Sequence, residues 1–155
     1  MSDDPSHPRG GPDAVQIVIP ANADSVRDAL GALFDTLLLR RLSDDRRGTA
    51  ELVLAEALNN IVEHAYSRED GQISLSLQLG AGELGSGELL CRIEDSGLPM
   101  PRGELPGGPL CLHDGAGEVV EGGFGWHLIR ALSHDLNYCR QDGRNLLSFR
   151  LDAGQ

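Results

Sequence analysis

An α+β domain, with a mostly antiparallel sheet and helices gathered on one face, is what this sequence predicts. Three observations carry the prediction. Alternating apolar segments come in neighbouring pairs joined by turn signals, at 73–79 with 89–94 and at 136–140 with 146–151. Helical-period segments lie between these strands instead of alternating one for one with them. At 155 residues, 40% hydrophobic and 24% charged, the chain has the length and composition of a single domain that needs no disulfide or metal staple.

Each element follows in order. Residues 1–13 are rich in turn formers and charge and lack the apolar core of a signal peptide, so they read as a disordered tail. Val15 to Ile19 alternates as a half-buried strand and stops at Pro20. A helix capped by Asp24 or Ser25 then runs through Val26, Leu30, Leu33, Phe34, Leu37 and Leu38. Ser43 to Gly48 reads as a polar connection. From Thr49 to about Tyr66 a second helical pattern carries Leu52, Ala55, Leu58, Asn59 and Val62 at helical spacing. After Asp70-Gly71, Ile73, Leu75, Leu77 and Leu79 alternate with polar residues, and a glycine-rich loop leads into Leu89 to Glu94, making a hairpin. Residues 96–123 hold eight glycines and four prolines, too long a connection for a compact domain unless it has a function, and read as a lid. A helix starts after Gly123-Phe124-Gly125, and a closing hairpin turns at Asp142-Gly143.

Composition excludes several functions. Thirteen basic residues against 24 acidic ones leave a net charge of -11, the wrong sign for binding nucleic acid phosphates or anionic lipid, and no apolar run is long enough to cross a bilayer. All thirteen basic residues are arginine. Without lysine there can be no P-loop, no strand lysine on a kinase's phosphates and no Schiff base. Cys91, Cys111 and Cys139 form no CxxC pair, which argues against a disulfide framework or structural zinc and suits a reducing cytoplasm.

Three groups of residues can carry chemistry. Glu56, Asn60 and His64 recur every four residues, placing a carboxylate, an amide and an imidazole along one helical face within roughly 12 Å. Asp95-Ser96-Gly97 puts an acid before a glycine at a strand-to-loop junction, where a carboxylate can accept from an exocyclic amine. Gly122-Gly123-Phe124-Gly125 precedes a helix, where free N–H groups and the macrodipole make an anion site without lysine. Taken singly, these are also a solvated helix face, a common turn and a helix cap.

In sequence order they resemble a known family. Glu-Ala-Leu-Asn-Asn-Ile-Val-Glu-His-Ala-Tyr from Glu56, Glu94-Asp95-Ser96-Gly97, and Gly-Gly-Phe-Gly-Trp-His-Leu-Ile from Gly122 are similar to the bacterial anti-sigma factor serine/threonine kinases (RsbW-like). These belong to the GHKL, or histidine kinase-like, ATPase superfamily. The resemblance covers about residues 14–152 and implies an ATP-binding domain over 14–155, with a lid at about 98–123. It implies the Bergerat two-layer α/β sandwich, a mixed, mostly antiparallel sheet with helices on one face. The implied cofactors are ATP and Mg²⁺. Asn60 would hold Mg²⁺ through its amide oxygen, and Glu56 would be the catalytic base for an incoming serine hydroxyl. His64 would reach the phosphates, Asp95 would accept the adenine amine, Gly97 would leave room for the ring, and the backbone at Gly123 and Gly125 would close on the triphosphate. The roles of Asn59 and Glu63 stay open, and Asn59 can equally point into the core. The implied partners are a STAS-type anti-sigma factor antagonist and a sigma factor, with no nucleic acid or membrane. The family also suggests a homodimer formed through the opening strand and first helix.

The sequence departs from the family at two places. Pro99 follows Leu98 where a second glycine is usual. Between Gly103 and Phe124 there is no arginine or lysine but there are Glu118 and Glu121, although related lids commonly place a basic residue on the γ-phosphate. The kinase reading, carried by Glu56, therefore stands beside a second reading: a non-catalytic, ATP-responsive module that sequesters a regulatory partner. A stand-alone ATPase or a histidine kinase fits less well, because such proteins carry coupling or dimerisation segments not seen in this chain.

Overall fold

The computed structural model describes residues 7–11, 13–64, 71–80, 87–99 and 123–153, with the backbone alone at 123–125. Among the described residues six strands form one sheet: β1 (Arg9–Gly10), β2 (Ala14–Pro20), β3 (Gln72–Gly80), β4 (Glu88–Asp95), β5 (His134–Gln141) and β6 (Arg144–Asp152). Their order is β1-β2-β3-β4-β6-β5, and every ladder among the described residues is antiparallel. The helices are α1 (Ala23–Phe34), α2 (Leu37–Arg40), α3 (Asp44–His64) and α4 (Gly123–Leu132). No described helix is long and apolar enough to cross a membrane.

Period-two patterning decides which face is covered. Val15, Ile17 and Ile19 of β2, Ile73, Leu75 and Leu77 of β3, Leu89, Cys91 and Ile93 of β4, and Leu147, Phe149 and Leu151 of β6 are all buried on one side. Alternate residues such as Gln16, Ser74, Arg92 and Arg150 are exposed. The helices bury Val26, Leu30 and Leu33 of α1, Leu38 and Leu39 of α2, and Trp126 and Ile129 of α4 in the same core. Each fully buried side chain of this size contributes about 1.5–3 kcal/mol of transfer free energy.

Six local features differ from the sequence expectation. Within the segment expected to be a disordered tail, Arg9–Gly10 pairs with Gln16 and Val15 as a short edge strand. Gly10 has φ 145, and a Cβ there would lie 2.0 Å from the Ala14 carbonyl oxygen, so the close pairing requires glycine. The first helix is capped not by Asp24 or Ser25 but by Asn22, whose Oδ1 accepts from the Ser25 N–H at 2.8 Å. It breaks at Asp35-Thr36, where the Thr36 hydroxyl donates to the Leu33 carbonyl, before the short α2.

The polar stretch 43–48 is not a connection but the first turns of α3. Ser43 caps it, accepting from the Arg46 N–H, and Asp44 and Asp45 sit at the positive end of the macrodipole. The face of α3 that meets the sheet is Ala50, Val53, Leu54, Ala57, Leu58 and Ile61, not the stripe through Leu52, which is 44% exposed. This rotation turns Asn59 outward and Asn60 inward. Finally, α4 begins at Gly123, three residues before the start expected from its glycines.

Candidate functional site

The buried polar and charged residues among those described are Asn60, Asp95 and Asn145, each 5–6% exposed. Burying such groups is costly unless they are bonded, so their placement is informative. Asp95 ends β4 on the helix-covered face and stands directly opposite Ile73 and Asn145. Asn60 lies one turn before the end of α3, and the chain from His64 re-enters the sheet at Gln72, beside Ile73. Seven residues of chain thus separate the end of α3 from the start of β3, whose Ile73 stands opposite Asp95.

Helix α4 packs against α3. It passes at Ser133 into His134, which pairs with Arg150 at the opposite end of the sheet from Asp95. Ten helical residues span about 15 Å. The C-terminal end of α4 therefore lies at the sheet end away from Asp95, with Gly123 one helix length distant from it. The first N–H groups of a helix have no partner within it and favour an anion.

Asp95 is held from two sides. Its Oδ1 accepts from the Gly97 N–H at 2.9 Å and from Asn145 Nδ2 at 2.8 Å, while Oδ2 takes no hydrogen bond among the described residues. Burial pushes the Asp95 carboxyl above its ordinary range and Glu94 adds to this; Asn145, the Gly97 N–H and the Arg140 charge act in the opposite direction. Asn145 Nδ2 also donates to the Leu98 carbonyl at 2.8 Å, tying the turn after Asp95 to β6. The position of Asn145 relative to Asp95 was not legible from spacing, because 50 residues separate them; only the β4–β6 register brings them together.

Asn60 is the opposite case. Its Nδ2 is buried and finds no partner among the described residues, although an unbonded buried amide costs about 1–3 kcal/mol. A buried amide with an unsatisfied end suits a polar ligand, and turned about its last torsion it offers a hard oxygen of the kind Mg²⁺ selects. Glu56, one turn earlier, is half-buried and takes no hydrogen bond or ion pair among the described residues. His64 is exposed at the end of α3, with Nε2 4.0 Å from Glu63. On α4 the buried Nε of Arg130 is a second atom without a partner among the described residues, a cation the sequence reading did not single out.

The structure thus places Glu56, Asn60 and His64 along α3, Asp95 and Gly97 at the end of β4, and Gly123 and Gly125 in the first turn of α4. The expected lid, apart from Leu98, Pro99 and Gly123, lies outside the described residues. Cys91 is enclosed in the sheet core, and burial pushes its thiol up, away from reactivity.

Comparisons of family, sequence and structure relate the chain to known proteins. A model of the histidine kinase-like ATPase domain matches residues 19–151. The serine/threonine-protein kinase BtrW of Bordetella bronchiseptica is 32% identical over 131 residues, 84% of this chain and 87% of that protein. The serine-protein kinase RsbW of Bacillus mycoides is 24% identical over 135 residues, 86% of this chain and 81% of that one. Among solved structures, the histidine kinase domain of the blue-light activated histidine kinase from Erythrobacter litoralis EL346 aligns with a TM-score of 0.45 at 15% identity. That alignment covers 84% of this chain and 60% of that one.

Proposed function

Because the chain belongs to the histidine kinase-like ATPase domain family, we propose that it binds ATP and acts as a serine/threonine protein kinase on a STAS-type anti-sigma factor antagonist, so regulating a sigma factor by partner switching. The observation that carries the reading is the burial of Asn60 and Asp95, the two residues with the most specific assigned roles, which with Asn145 are the buried polar residues among those described. Relatives named as serine kinases support the reaction class.

In this reading the Asp95 Oδ2 accepts the 6-amino group of adenine, and Gly97 leaves space for the ring. The N–H groups of the first turn of α4, at Gly123 and Gly125, close on the phosphates with His64. Asn60 would hold the Mg²⁺ that accompanies ATP, and the ion would supply neutralisation of phosphate charge. Glu56 accepts the proton of the substrate serine hydroxyl. The serine oxygen then bonds to the γ-phosphorus as the bond to the β-phosphate oxygen breaks, and ADP leaves; positioning supplies most of the rate.

One sequence feature favours a second reading. With no arginine or lysine between Gly103 and Phe124, the chain would bind ATP as a conformational ligand and sequester its partner without transfer. Incubation with γ-labelled ATP and candidate STAS-type proteins separates the two. The kinase reading expects label on a serine or threonine of the partner, lost in Glu56→Gln; ATP-dependent partner binding without label would establish the module instead.

A further inference from the structure

The base pocket inferred above is fastened by residues with no role so far. Arg140 lies near the end of β5, an edge strand, opposite Asn145. Its Nη1 donates to the Gly97 carbonyl at 2.8 Å and to Asn145 Oδ1 at 2.9 Å. The Tyr138 hydroxyl donates to the same Asn145 oxygen at 2.6 Å.

These bonds have a directional consequence. Arginine can only donate, so the Asn145 amide must turn its oxygen toward β5 and its nitrogen toward Asp95. Both hydrogens of that nitrogen are then used, on Asp95 Oδ1 and the Leu98 carbonyl, each at 2.8 Å. With Oδ1 already taking the Gly97 N–H, Oδ2 is left as the carboxylate oxygen without a hydrogen bond among the described residues.

We propose that Arg140 is a positioning residue for base selectivity, clamping the turn from Asp95 to Leu98 through the Gly97 carbonyl and Asn145 so that the site accepts a 6-aminopurine and rejects a 6-oxopurine. The inference rests on the nucleotide reading of this site. A 6-amino group donates to Oδ2, whereas a 6-oxo group sets one acceptor against another in a buried place. Arg140 also favours the ionised carboxylate against the effect of burial, and a protonated Asp95 would lose the distinction by donating to a 6-oxo group. Arg140 is exposed and outside the apolar core, so its replacement leaves the core packing intact.

The test is titration of the full chain with Mg-ATP and Mg-ITP, comparing wild type, Arg140→Met, Arg140→Lys and Tyr138→Phe. Wild type should prefer ATP by at least tenfold. Arg140→Met should lower the ATP-to-ITP affinity ratio at least threefold, mainly through weaker ATP binding. Arg140→Lys should recover part of the ratio, and Tyr138→Phe should shift it in the same direction by less. An unchanged ratio in Arg140→Met, or an equal loss for both nucleotides, overturns the proposal while leaving the nucleotide site standing. A wild type that binds neither nucleotide overturns the site reading itself. Should Arg140→Met fail to fold, Tyr138→Phe and Arg140→Lys decide: a ratio at the wild-type value in both overturns the inference.

Discussion

Asn145 donates from Nδ2 to Asp95 Oδ1 at 2.8 Å, across a ladder in which the two residues stand directly opposite each other. This bond lies between two buried polar groups, so neither has water to fall back on. Replacing Asn145 by leucine, similar in shape but without donors or acceptors, strands the Leu98 carbonyl and one acceptor site on Asp95. The expected cost is about 1–3 kcal/mol of unfolding free energy, measured by urea denaturation of the ligand-free protein. A change under about 0.5 kcal/mol would show that the network contributes nothing to folding.

Asp95 should leave a signature in the pH dependence of stability. Its carboxyl is raised by burial, so across the range between its ordinary value and its raised one the folded chain binds more protons than the unfolded chain. Stability from this group is therefore greatest at low pH, declines as pH rises through that range, and levels off above it. Asp95→Asn keeps the oxygen that accepts from Gly97 and Asn145 but cannot ionise. The variant should gain stability relative to wild type between pH 4 and pH 7, as read from paired urea melts. A relative loss with rising pH would mean that the bonds to Asn145 and Gly97 outweigh burial.

Asn60 and Glu56 should separate stability, binding and transfer. The Asn60 amide has a buried end without a partner among the described residues, a cost to the ligand-free fold. Asn60→Leu should raise ligand-free stability by about 1 kcal/mol while abolishing stabilisation by Mg-ATP. Glu56→Gln should keep that stabilisation and lose phosphotransfer. Equal loss of nucleotide binding in both variants, seen by calorimetry, would contradict the division of roles.

Two glycines should respond to alanine with opposite signs. Asp142 and Gly143 adopt φ 52 and 79, the two-residue hairpin geometry with both central residues left-handed. Gly143→Ala should cost about 1 kcal/mol. Gly48 sits inside α3, and an added Cβ would meet nothing within 4 Å, so Gly48→Ala should stabilise by about 0.5–1 kcal/mol. Thermal melts of the two variants check both signs.

How far the sequence was legible depends on the range of the interaction. Strands β2, β3, β4 and β6 were visible because alternation is local, and the Asp142-Gly143 turn because its residue types are specific. The start of α3 was hidden because its first turns are held by a cap and charge placement, not by an apolar period. Arg9–Gly10 was hidden because two residues carry no pattern and pair only with a neighbouring strand. In the candidate site, Glu56, Asn60 and Asp95 are proposed from spacing and resemblance. Which of Asn59 and Asn60 faces inward depended on how α3 is rotated against the sheet, and the bonds among Tyr138, Arg140, Asn145 and Gly97 on pairing between distant strands.

The central claim is that the candidate site of Asp95 and Asn60 binds Mg-ATP. Its most direct test is thermal unfolding of the full chain with ATP, with and without Mg²⁺. A ligand bound only by the native state, at a hundredfold excess over its Kd, adds about 2.7 kcal/mol. Tm should rise only when both ATP and Mg²⁺ are present, and should not rise in Asn60→Ala. An unchanged Tm for wild type at millimolar Mg-ATP would contradict it and leave a partner-binding fold without a nucleotide site.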